Sequence, residues 1–134
     1  MVSSYTYTTT VEGSIEDVRG RVEAALKDEG FGILTEIDVA ATLKSKLGLD
    51  RPAYLILGAC NASLANRALE IDPSIGALLP CNVVLRRSDD VAQTIVEIME
   101  PIAALGIAGS AGIEPIADEA AQRLRRVRDA VGAG

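Results

Sequence analysis

The 134-residue chain is 49% hydrophobic and 24% charged, a balance that fits one folded domain over residues 1–134 and excludes a disordered chain. Its net charge of −6 argues against a sequence-independent grip on nucleic acid, and 3% aromatics without Trp argue against base-stacking platforms and aromatic cages. Histidine is absent, which removes His-paired nucleophiles, imidazole zinc sites and His-ligated haem, so any chemistry falls to Cys, carboxylates, Lys, Tyr or backbone.

In chain order, residues 2–11 are rich in β-branched and aromatic types and read as a half-exposed strand. Ser14 caps a helix whose first turn carries Glu16 and Asp17, and Ile15, Val18, Val22, Ala25 and Leu26 then recur at helical spacing until Gly30 stops it. A second strand covers 31–37. Asp38 caps a short helix with Val39, Leu43 and Leu47 on one side, Lys44 and Lys46 near its negative end and Gly48 closing it. The stretch 53–60 is the most apolar and reads as a strand buried on both faces. Asn61 caps a helix through Leu64, Ala65, Ala68 and Leu69, ending before Pro73.

Residues 81–86 and 93–99 read as a hairpin around Ser88-Asp89-Asp90, and 101–113 as a mobile Gly/Ala loop that can hold a helical turn and leads into a last helix over 118–131. That helix places Ala120, Leu124, Val127 and Val131 on one side, and its Arg residues at 123–128 sit where the helix dipole favours cations. The order predicts an α+β fold of β-α-β(4)-α type: a mainly antiparallel sheet, helices on one face and two short helical insertions. The first residues carry no basic run and no apolar core, and no stretch reaches the roughly 20 apolar residues of a membrane helix. A cytoplasmic protein with reduced thiols and no membrane contact is expected.

The strongest local feature is a repeated dipeptide, Cys60-Asn61 and Cys81-Asn82, each Cys at a predicted strand edge. With Asn61 as a cap, Cys60 stands at the positive end of a helix dipole, where a thiolate is favoured. The alternative is that both Cys are small buried hydrophobes. A second feature is Glu36-Ile37-Asp38, where strand alternation puts both acids on one face, able to bind a cation or share a proton; the alternative is a solvated Glu36 and a capping Asp38. Joined to the thiols, these acids would form an S₂O₂ metal set, although the spacing is not that of a Cys-x-x-Cys site. The Gly-rich run 106–112 lacks the ending of a phosphate-binding loop and reads as a linker.

The segments Gly32–Val39, Thr42–Lys44, Ile56–Asn61 and Gly76–Val83 together resemble the family of domain of unknown function 302 across nearly the whole chain. The resemblance implies a small bacterial or archaeal homodimer of β-α-β(4)-α type. It also implies that Glu36, Asp38, Lys44, Cys60, Asn61, Pro80, Cys81 and Asn82 belong to the family's pattern, with no established activity to carry over. The chain departs from that pattern at Ala62-Ser63, where the family often has Pro after Asn, and in the Gly/Ala richness of 101–113.

Three functions follow. One is a binding module holding a small ligand or soft metal ion among Glu36, Asp38, Cys60, Asn61, Cys81 and Asn82. Another is a thiol-redox or sulfur-handling enzyme with Cys60 as nucleophile, Cys81 as resolving thiol and Lys44 as electrostatic helper. The third is a non-catalytic scaffold. Without His there is no ready general base near pH 7, which favours the binding module. No cofactor is specified.

Overall fold

The computed structural model describes residues 5–90 and 92–133. Five strands, β1 (Thr6–Glu12), β2 (Gly32–Asp38), β3 (Tyr54–Cys60), β4 (Cys81–Arg87) and β5 (Gln93–Met99), form one sheet in the order β1-β5-β4-β3-β2, antiparallel throughout. The α+β expectation holds. Strands β2 to β5 follow one another as a meander, and β1 closes the far edge on β5. Residues 2–4 of the expected first strand lie outside the described residues.

Helices α1 (Ile15–Asp28) and α5 (Glu114–Ala133) pack on each other and against one face of the sheet. The apolar positions read from helical spacing are the buried ones: Ile15, Val18, Val22, Ala25 and Leu26 on α1, and Ala120, Leu124, Val127 and Val131 on α5. From the sheet, alternate residues Leu57, Ala59, Cys81, Val83, Leu85, Val96 and Ile98 meet them. The opposite face carries Ile56, Val84 and Ile95, half-buried.

Two insertions appear where capping residues predict them. Helix α2 (Val39–Leu47) starts on Asp38, which accepts from the Ala41 amide at 2.9 Å, and ends on Gly48 in a left-handed conformation (φ 68°). Helix α3 (Ala62–Ile71) starts on Asn61, which accepts from the Leu64 amide at 3.1 Å. A 3₁₀ helix (Pro73–Leu78), which the sequence reading did not anticipate, then leads to a cis Leu79–Pro80 bond.

The largest correction concerns 101–113. Its first half is more than a loop with a turn: it is helix α4 (Pro101–Gly106), capped by Glu100, which also accepts from the Tyr7 hydroxyl at 2.8 Å. Leu105 and Ile113 are buried in a second core with Leu64, Ala68, Ile75, Ile116, Ala117 and Ala120. The Ser110 hydroxyl donates to Asp72 at 2.7 Å and ties the Gly-rich turn to the end of α3. Burial of Pro101, Leu105 and Ile113 outweighs the low helix preference of the glycines around them.

The arginines of α5 serve the fold. Arg123 donates to the Glu29 carbonyl at 3.0 Å, and Arg126 pairs with the Glu29 carboxylate, which holds that carboxyl below its usual range. Arg125 and Arg128 flank the Tyr7 ring at 6.0 and 5.5 Å. Burial, then the hydrogen bond to Glu100, pushes the Tyr7 phenol up to about 12. No helix among the described residues is long and apolar enough to cross a membrane.

Candidate functional site

The two Cys-Asn dipeptides meet because of strand register. Ala59 of β3 pairs with Cys81 of β4, so Cys60, the last residue of β3, lies diagonally beside the first residue of β4. Both thiols are free, Cys60 half-buried and Cys81 buried. Both residues belong to the lining of one slot at the seam between the two cores. Phe31, Ala59 and Cys81 stand on the sheet side, Leu64, Ala68, Leu105, Ile116 and Ala120 on the helix side, and Asn61 and Pro80 beside the thiols.

The slot is small and almost wholly apolar. Its volume is about 30 Å³, room for roughly one or two water-sized groups. Typical metabolite sites span some 300–1,000 Å³, so the occupant that fits is an ion or a single small group. Burial first, and then the neighbouring charge of Cys60, pushes the Cys81 thiol up to about 11. Cys81 is therefore a protonated, desolvated thiol at neutral pH, and Cys60 is the accessible member of the pair.

The remaining expected site residues lie elsewhere. Glu36 and Asp38 do share the face of β2 that looks toward α1, as alternation requires, but their register partners are Leu57 and Leu55. At about 3.3 Å per residue, that sets them roughly 10 and 16 Å along the sheet from Cys60. Glu36 instead accepts from Arg19 of α1 at 2.5 Å, and Asp38 caps α2. Lys44 pairs with Asp50 at 2.9 Å, and Asn82 is exposed opposite Gly58. None of these four lines the slot, and among the described residues no group of three or more Cys, Asp and Glu could hold a metal. The structure brings together Cys60, Asn61, Pro80 and Cys81 and leaves the carboxylates in structural roles.

Phe31, Leu64, Leu105 and Ile116 complete the slot without any polar signature in the sequence. Helical periodicity marks Leu64 as inward-facing, but nothing local says that α4 closes the slot's far wall.

Two glycines are required for this shape. Gly58 is buried, and a Cβ there would meet the Pro80 ring at 2.8 Å and collide with the Thr35 hydroxyl. Gly30, at φ 83°, lies where a Cβ would stand 2.9 Å from the Asn61 amide nitrogen. The capping Asn61 next to Cys60 thus depends on a backbone position that L side chains rarely adopt.

A family model described as domain of unknown function DUF302 matches residues 7–131. The chain is similar to a crystal structure of an uncharacterized conserved protein of that family from Bacillus stearothermophilus. Identity is 29% and the TM-score 0.87, with 96% of this chain and 99% of that chain covered. No curated protein matches the chain.

Proposed function

The chain belongs to the DUF302 family, and from that premise we propose that it is a binding protein whose site is the Cys60–Cys81 slot and whose occupant is a soft, thiophilic metal ion. The presence of two free cysteines, Cys60 and Cys81, in the lining of one apolar slot of about 30 Å³ carries this reading. Thiolate ligands select soft ions such as Cu(I). Two sulfurs without carboxylates suit a low coordination number. A bound cation also supplies the charge that displaces the Cys81 proton, because a coordinating thiol is deprotonated outright.

A thiol-redox cycle would use the same pair, Cys60 attacking and Cys81 resolving. A resolving thiol held near pKa 11 is a slow one at neutral pH, and the expected helper Lys44 is engaged with Asp50. Binding therefore fits better than turnover. Thiols of this kind persist in reducing surroundings, which supports a cytoplasmic location.

The test is anaerobic titration with Cu(I) against a competing chelator, read by native mass spectrometry. One ion per chain is expected. It should be lost in Cys60→Ser and in Cys81→Ser and kept in Glu36→Gln and Asp38→Asn. Affinity should rise with pH below about 11, because the bound state releases the Cys81 proton. Binding that survives in either serine variant would overturn the assignment.

We also propose that two copies associate along the β2–α2 edge. Leu34, Ile37, Leu47 and Leu49 are exposed there, and α2 has no buried residue. A nine-residue helix is too short to hold itself in water, and an apolar, unpaired edge strand invites pairing. Light scattering should give twice the 14.0 kDa chain mass, and Ile37→Lys should give the single-chain mass. A wild-type monomer at micromolar concentration would contradict the pairing.

A further inference from the structure

A second site lies away from the thiols, at the other end of β3 and β4. Arg51, Pro52, Ala53 and Tyr54 on one side, and Arg86, Arg87 and Asp89 on the other, line a pocket of about 390 Å³. Tyr54 and Arg86 are register partners, so the pocket is built on paired backbone with Arg51 brought in from the α2–β3 connection.

The guanidinium groups give the pocket its meaning. Arg19, Arg67, Arg86, Arg126 and Arg128 are in ion pairs. Arg123 holds Glu119, Arg21 donates to the Glu12 carbonyl and Arg125 stacks on Tyr7. Among the described residues, Arg51 and Arg87 are the two arginines whose side chains have no ion pair, hydrogen bond or ring contact. Both line this one pocket, in a chain with net charge −6 that has carboxylates to spare. Arg86 is neutralised by Glu97 at 2.6 Å. Asp89 is the one carboxylate lining this pocket, and Arg87 also borders the adjoining concavity that holds Glu16 and Asp38.

We propose that this pocket binds the oxyanion end of a small molecule, a carboxylate or a phosphate, through Arg51 and Arg87, with Pro52, Ala53 and Tyr54 lining the space for the rest of it. Planar guanidinium forks match both oxyanions, and a charge-assisted hydrogen bond is about twice as strong as a neutral one. The volume suits a small metabolite. This site is independent of the thiol slot.

The test is isothermal titration of the full chain at low ionic strength with inorganic phosphate in one arm and succinate in the other. Saturable binding below about 10 mM is expected in at least one arm, and the arm that saturates names the oxyanion. Arg51→Ala and Arg87→Ala should each weaken it about tenfold or more, while Lys46→Ala, a surface cation outside the pocket, and Cys60→Ser leave it unchanged. Circular dichroism would confirm that each variant is folded. No saturation in either arm, wild-type affinity in both arginine variants, or equal weakening in Lys46→Ala would overturn the proposal.

Discussion

Under native conditions at pH 7, one thiol per chain should react with iodoacetamide, and peptide mapping should place it at Cys60. Cys81 is buried and its pKa is pushed up to about 11. Its thiolate fraction at pH 7 is then on the order of 1 in 10⁴, and only the thiolate attacks. Cys60 is half-buried and also lines the slot. Cys60 should label much faster than Cys81. Cys81 labelling should rise close to tenfold per pH unit up to about pH 11, until unfolding equalises the pair. Comparable rates for the two thiols in folded protein at pH 7 would remove the asymmetry on which the site is built.

Gly58→Ala should be among the most disruptive single-methyl changes in the chain. The added Cβ would fall 2.8 Å from the Pro80 Cγ and against the Thr35 hydroxyl. Thr35 can rotate away, but a proline ring between Leu79 and Cys81 cannot, so the strand pair β3–β4 must spread where Cys81 begins. Overpacking of this kind costs about 1–3 kcal/mol, visible as a lower denaturant midpoint at unchanged slope. Gly20→Ala provides the opposite sign. Gly20 is exposed in the middle of α1 with open space at its Cβ position, so alanine there should stabilise by about 0.5–1 kcal/mol. A neutral Gly58→Ala would mean that Pro80 does not pack against β3 as described. The same substitution should also impair metal capture, because Pro80 and Cys81 move together.

Much of the fold was legible because its signals are local. Ser14, Asp38 and Asn61 each start a helix and Gly48 ends one, through side-chain or left-handed caps that need no tertiary context. The inward faces of α1 and α5 follow from 3.6-residue spacing alone. Helix α4 was not legible, because Ala and Gly around Leu105 carry no periodic pattern, and its burial depends on α3 and α5 arriving from elsewhere. The site divides in the same way. The two Cys-Asn dipeptides stood out as a repeat, but their meeting depends on the pairing of Ala59 with Cys81, a register that only the assembled sheet sets. The same register separates Glu36 and Asp38 from the thiols, although all four residues were candidates for one pocket. The paired acids were correctly placed on one face, and each then took the structural role of a salt bridge or a cap.

The claim that Cys60 and Cys81 form one two-thiol site is tested most directly by arsenite capture, since trivalent arsenic binds stably only where two thiols can replace two of its hydroxyls, with release of two waters. Native mass spectrometry of reduced protein should show one arsenic per chain and protection of both cysteines from later alkylation. Cys60→Ser and Cys81→Ser should each show none. A wild-type chain that takes up no arsenic while both thiols remain reduced would contradict the shared site.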